Sequence, residues 1–232
     1  AQKLARVLLD SSVRLDALVT HFLDLARADA GLPNEERVRV EIDRLVQRLV
    51  GDLSLDERFR FVRFEVDADP VAVIGVPGRL ESVVRNLLDN AAHFASLADS
   101  EEIITSPGHP TQNSAEYRAL GIHWVRVRVR RSTDGTMAVV RVSDSGPGIP
   151  SEHLPKIFQR FFTSRTTGTG IGLAMSRAIV EAHGGILNAE SPKSSGAVFT
   201  VRLPTAEYSN RAALEARSKT SEQQPVDSGQ SN

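Results

Sequence analysis

An apolar strand, Met137 to Val142, runs straight into Asp144-Ser145-Gly146-Pro147-Gly148-Ile149, and this junction constrains the fold more than any other stretch. It calls for a sheet whose strand end carries an acidic side chain into a glycine-hinged turn. A carboxylate fixed there can accept the exocyclic amine of a purine. The glycines let backbone pass close under a base with no Cβ atoms in the way. The same Asp-x-Gly-x-Gly pattern also describes an ordinary strand-to-loop turn, because Asp and Gly both turn readily.

Two further elements stand where a nucleotide site would need them. From Pro77-Gly78 the spacing predicts a helix whose Leu80, Val84, Leu87, Leu88 and Ala91 form one buried stripe. Asn86, Asn90 and His93 cluster on another side. Asparagines at i and i+4 offer amide oxygens in register, suited to a hydrated magnesium ion that leans on phosphate oxygens. Solvated surface asparagines are the plainer alternative. Downstream, Gly168-Thr169-Gly170-Ile171-Gly172-Leu173 opens an apolar helical segment from Leu173 to Ala182. Unpaired N–H groups of a first turn, with the positive end of the helix dipole, attract phosphate. The spacing is neither a P-loop nor a Rossmann fingerprint, and a flexible loop before a core helix would read the same way.

Taken in order, Asn86-Leu-Leu-Asp-Asn90-Ala, Asp144 to Ile149 and Gly168 to Leu173 resemble the asparagine box and the two glycine boxes of sensor histidine kinases, members of the GHKL superfamily. Ile157-Phe158-Gln159-Arg160-Phe161-Phe162 resembles the phenylalanine box. Glu181-Ala-His-Gly-Gly185 and the strand from Gly196 to Pro204 complete a likeness that spans Val38 to Pro204. The resemblance implies a catalytic, ATP-binding domain with ATP and Mg2+ as cofactors. Its fold would be an α/β (α+β) sandwich, a mixed sheet with helices on one face, preceded by a dimerisation helix. Asp144 would read the adenine amine, with Gly146, Gly148 and Ile149 shaping the pocket and Phe94 walling it. Asn90 would coordinate magnesium with Asn86 beside it, and His93 would stand near the phosphates. Gly168, Thr169, Gly170, Gly172 and Leu173 would form the phosphate-facing edge of a lid over 150–167, where Arg160 and Arg165 either screen phosphate or are simply solvated.

Related ATPases of the superfamily, such as gyrase, MutL and Hsp90, carry a glutamate where this chain has Asn86. An amide cannot usefully accept a proton near neutral pH, so the substitution favours phosphoryl transfer over hydrolysis. Asp89 matches the acidic residue that histidine kinases commonly show, placed to assist the acceptor imidazole; a solvated helix aspartate is the alternative. The resemblance also implies a response regulator receiver domain as the next phosphoryl acceptor. A non-catalytic nucleotide-sensing and dimerisation module, or a GHKL-type ATPase, are the competing assignments.

Leu4, Leu8, Ser11, Leu15, Leu18, Phe22 and Leu25 follow alternating spacings of four and three, the seam of a helix that packs in a bundle. Residues 1–31 resemble the second helix of the kinase dimerisation hairpin, which implies a homodimer. The first helix with its phosphoacceptor is not in this sequence, and none of the six histidines has the acceptor's surroundings. His21, His109 and His183 read as structural or solvated, so autophosphorylation is not expected of this stretch alone. A hinge at Ala30 to Pro33 leads into the catalytic unit, 32–204. Within it a strand lies near Val38, a helix at Ile42 to Leu53, and strands at Phe59 to Val66 and Val71 to Ile74. The stretch 96–122 is longer than usual there and reads as a mobile insertion. Residues 205–232 read as a solvated or disordered tail with one short helix at Ala212 to Ala216.

Composition agrees. The 232 residues are 41% hydrophobic, enough for one substantial core, and the net charge of −1 argues against nucleic acid as a partner. Val125-Arg-Val-Arg-Val-Arg-Arg131 is better explained by period two, valines inward and arginines outward on an edge or half-exposed strand. Without cysteine there are neither disulfides nor thiolate metal sites. No run of eighteen apolar residues suggests a membrane helix, so no direct membrane contact and a cytoplasmic location are expected, although family members are commonly membrane-anchored.

Overall fold

A computed structural model describes residues 35–96, 123–165, 168–192 and 196–222, with 216–222 in backbone only. The seam over residues 4–25, the hinge at Ala30 to Pro33, most of the 96–122 stretch, His21 and His109 lie outside the described residues.

The period-two run forms β4 (His123–Arg131), whose Val125, Val127 and Val129 are wholly buried while Arg128 is exposed. It is an interior strand rather than an edge. Strand β2 (Val62–Ala68) pairs with it in parallel and β5 (Met137–Asp144) antiparallel. With β7 (Val198–Pro204) and β6 (Ile186–Glu190), both antiparallel, the mixed sheet has the order β2-β4-β5-β7-β6. A separate antiparallel pair joins β1 (Val38–Glu41) to β3 (Ala72–Gly75). Among the described residues no helix is long and apolar enough to cross a membrane.

Three helices cover one face of the sheet, as the resemblance implies. Helix α1 (Ile42–Ser54) buries Ile42, Leu45, Val46, Leu49, Val50 and Leu53, a 3.6-residue stripe. Helix α2 (Pro77–Ser96) starts on a proline, which has no N–H to leave unpaired in the first turn. Its predicted stripe, Leu80, Val84, Leu87, Leu88 and Ala91, is at most 5% exposed. Helix α3 (Gly172–Ala182) packs on α2, β6 and β7.

Local chemistry moved two boundaries. Phe59 belongs to a 3-10 turn, Glu57–Phe59, rather than to the strand, because the Asp56 carboxylate accepts from the Arg58 N–H at 2.9 Å and caps the turn. At the other end, helix α4 spans Ala206–Glu222, much longer than the short helix expected there. Thr205 is its N-cap, with Oγ1 accepting from the Tyr208 N–H at 3.3 Å. Thr205 and Ala206 are fully buried, and Glu207 pairs with Arg39 and Arg131.

His183 is a buried joint. Its Nδ1 donates to the Ile179 carbonyl at 2.7 Å and its Nε2 accepts from the Val76 N–H at 3.0 Å, which fixes a neutral ring. Burial holds its pKa below the usual value, in line with that assignment. The ring thereby ties the C-terminus of α3 to the residue before α2.

Candidate nucleotide site

The site has two ends. At one, Asp144 closes β5 and is 2% exposed. Its Oδ1 accepts from the Gly146 N–H at 2.9 Å and the Ala197 N–H at 3.1 Å. Oδ2 takes no hydrogen bond from the described residues. Burial pushes this carboxyl up to about 6, and the two backbone donors pull it partly back. Glycines make the collar around it. A Cβ on Gly196 would lie 2.1 Å from Asp144 Oδ1, and one on Gly146 would lie 2.9 Å from the Phe94 carbonyl group. Gly148 has a φ of +81°, and a Cβ there would meet Ser191 Oγ at 2.6 Å. That hydroxyl accepts from the Ile149 N–H at 2.8 Å. Ser145 Oγ accepts from the Trp124 N–H at 2.8 Å, so the whole turn is fastened to neighbouring backbone.

The other end is built from side chains. Asn86 donates from Nδ2 to the buried Ser176 Oγ at 2.9 Å, and a Cβ on Gly172 would fall 2.4 Å from Asn86 Oδ1. One helical turn on, Asn90 Oδ1 accepts from Arg165 Nη1 at 2.9 Å. The same nitrogen stands 3.7 Å from Asp89 Oδ2, and Arg58 approaches the other Asp89 oxygen at 3.5 Å. Arg165 is 23% exposed, and its Nε is buried without a hydrogen-bond partner. His93 meets Phe94 edge-on, ring centroids 5.4 Å apart. Burial, reinforced by the positive charge of Arg165, lowers its pKa to about 4. It is therefore neutral at pH 7.

Beyond Asn90 the chain folds back through the phenylalanine motif. Phe161, 66% exposed, has φ +67°, rare for a bulky residue, and donates its N–H to the Gly170 carbonyl at 2.8 Å. Gly170 has the same φ, and a Cβ there would strike Phe161 backbone at 2.4 Å. Thr169 Oγ1 accepts from the Ile171 N–H at 3.4 Å beside the start of α3, and Leu173 packs on the core. Arg160 is exposed.

The two ends are joined where the Gly146 turn lies against the Phe94 backbone, which sets the β5 junction beside α2. Sequence reasoning passed over Ser176, Ser191 and Ala197. None carries a local signal, since each works through a partner 42 to 90 residues away. Among the described residues no three His, Asp or Glu side chains gather into a metal cage.

Residues 75–207 match the family of histidine kinase-, DNA gyrase B- and HSP90-like ATPases. The chain belongs to that family. It is 32% identical over 230 residues to the sensor protein ChvG of Agrobacterium fabrum, covering 90% of this chain and 34% of ChvG. The probable sensor histidine kinase TcrY of Mycobacterium tuberculosis is 35% identical over 198 residues, 82% of this chain and 36% of TcrY. The chain thus spans about a third of the length of these relatives. Among solved structures, the mycobacterial sensor histidine kinase MprB is similar with a TM-score of 0.56 and 28% identity, over 73% of this chain and 98% of that one. The mixed sheet with helices on one face is therefore the fold of a histidine kinase-type ATP-binding domain, and membership implies that the domain binds ATP.

Proposed function

We propose that this domain binds Mg-ATP between Asp144 and Asn90, and that in the protein it belongs to the γ-phosphoryl group passes to a histidine outside this sequence. A response regulator aspartate would be the next acceptor, the N-terminal segment would pair two copies, and the domain would work in the cytoplasm. One observation carries the reading. Asp144 is a buried carboxylate with one oxygen satisfied by backbone, the other without a hydrogen bond, and a glycine collar that a single Cβ would fill. That arrangement favours the adenine amine as donor to Oδ2.

Magnesium fits the residues at the other end, because the Asn90 oxygen already accepts a cation, the Arg165 guanidinium. When bound, the ion would neutralise phosphate charge during transfer. Asn90 would hold it, with Asn86 close by and kept upright by Ser176. Neutral His93 offers a ring nitrogen to a phosphate oxygen without adding charge. The first turn of α3, opened by Gly168, Thr169, Gly170, Gly172 and Leu173, presents N–H groups to the phosphates. Asp89, held between Arg58 and Arg165, would orient the acceptor imidazole. Asn86 disfavours hydrolysis, since an amide makes no general base.

Calorimetric titration with Mg-ATP of the parent, Asp144→Asn and Asn90→Ala tests the site. Saturable binding by the parent that both variants lose supports it, whereas no binding by the folded parent overturns it. Adding a purified hairpin domain that bears an acceptor histidine, and following acid-labile phosphate, then separates transfer from mere nucleotide sensing.

A further inference from the structure

Arg165 reaches 75 residues back along the sequence to place its guanidinium on the one Asn90 atom able to ligate a metal. A charged donor on an amide oxygen is among the stronger hydrogen bonds, and this one is only 23% exposed. The contact is backed by charge. Asp89 lies 3.7 Å from the same Nη1, while Arg58, paired mainly with Asp56, approaches the other Asp89 oxygen at 3.5 Å. Local backbone chemistry presents the arginine: its N–H donates to Thr163 Oγ1 at 3.0 Å, and its carbonyl accepts from the Gly168 N–H at 3.1 Å. A Cβ on Gly168 would collide with that Thr163 oxygen at 2.4 Å. The contact is also imperfect. Arg165 Nε is buried with no acceptor, a cost of the latched state that departure would relieve.

We infer that Arg165 is a resident cation that occupies the metal position at Asn90 and must be displaced before a divalent ion can bind there. A guanidinium and a magnesium ion cannot share one amide oxygen, because like charges a few ångströms apart in a half-buried site repel strongly. Loading with metal-nucleotide is then an exchange of cations. Metal-free nucleotide does not require the exchange and leaves the latch in place. The inference rests on the assignment of Asn90 as the metal ligand, and its test separates the two.

The measurement is ADP binding to the whole chain by calorimetry, once with Mg2+ and once with EDTA. ADP has no γ-phosphate for a lid arginine to grasp. Arg165→Gln is expected to tighten Mg-ADP about three- to tenfold, the range for one partly exposed charge-assisted hydrogen bond, and to leave metal-free ADP unchanged. Arg165→Lys, which keeps the cation, is expected to stay within about twofold of the parent by the same reasoning. Unchanged or weaker Mg-ADP binding by Arg165→Gln overturns the latch, and weaker binding would put the arginine on the phosphates instead. Asn90→Ala is the control. If it abolishes the difference between Mg2+ and EDTA, the metal assignment stands and Arg165→Gln judges the latch alone; if the difference survives, both fall. A readout without nucleotide is the unfolding midpoint of Arg165→Gln, Asn90→Ala and the double variant. Non-additive shifts support the contact, and additive ones overturn it.

Discussion

The base end and the metal end of the cleft are built on different principles. Around Asp144 the contacts run to backbone: Gly146 and Ala197 N–H groups hold one oxygen, and the Gly146, Gly148 and Gly196 positions leave no room for a Cβ. Around Asn90 they run between side chains, Asn86 to Ser176, Asn90 to Arg165 and Asp89 to two arginines. Backbone contacts belong to the fold and persist while it does. Side-chain contacts can be exchanged one at a time by rotation about χ angles. On the proposed reading, the constant part of the ligand would meet a fixed wall and the variable part, metal and phosphates, would meet movable groups.

If the comparison holds, changes at the base end shift stability as well as binding, while changes at the metal end weaken binding with little change in stability. The largest expected effect is that of Gly196→Ala, whose Cβ would sit 2.1 Å from Asp144 Oδ1 and 2.5 Å from the Asp144 carbonyl oxygen. Overpacking of that kind costs about 3 kcal/mol, measurable by denaturant unfolding, and nucleotide binding should vanish with it. A variant as stable as the parent would show the collar to be soft.

Asp144→Asn comes next, and its sign is informative. The folded pKa is raised to about 6 from 3.8, so the folded state holds the proton more tightly than the unfolded chain. That stabilisation is complete below about pH 4 and is lost as pH rises through about 6. The amide bears no charge and keeps an oxygen for both backbone donors. It should therefore unfold at higher temperature than the parent at pH 7, by the equivalent of about 3 kcal/mol at most, with the gap closing near pH 4. Equal midpoints at both pH values would mean that the carboxylate is solvated rather than buried.

At the metal end, Ser176→Ala removes the hydrogen bond that holds the Asn86 amide. The expected loss of stability is about 1 kcal/mol, and Mg-ATP binding, read by calorimetry, should weaken while thermal unfolding shifts by only a few degrees. Glu207→Ala is the smallest and serves as a reference outside the cleft. Its pairs with Arg39 and Arg131 are about half exposed, so a change below about 0.5 kcal/mol in chemical unfolding is expected, with binding untouched.

The features legible in sequence were those written in a local period. Helix α2, the alternation of β4 and the strand-to-glycine junction at Asp144 each declare themselves within a dozen residues. Strand β6 does not. Its five residues include Asn188, Ala189 and Glu190, poor strand formers that hold their place through β7. The extent of α4 was hidden in a polar composition, although Thr205 directly after Pro204 is a capping signal. Within the site, Asp144, Asn86, Asn90 and the glycines stood out by spacing. Arg165 left two choices, solvated or screening phosphate, and its contact with Asn90 was not foreseen, because a partner 75 residues distant leaves no trace in a linear pattern.

The joint at His183 has a mechanical consequence. It fastens the start of α2 to the end of α3, while Asn86 and Gly172 face each other farther along, so the two helices run antiparallel from a common pivot. Ten or eleven residues of helix make a lever about 16 Å long. A tilt of about five degrees at the pivot would carry the glycine-opened tip of α3 about 1.4 Å across Asn86, roughly the rise of one helical residue. Small rotations deep beneath the cleft would thus be read out as displacement at its phosphate edge, with the two helices hinging like the arms of a pair of tongs.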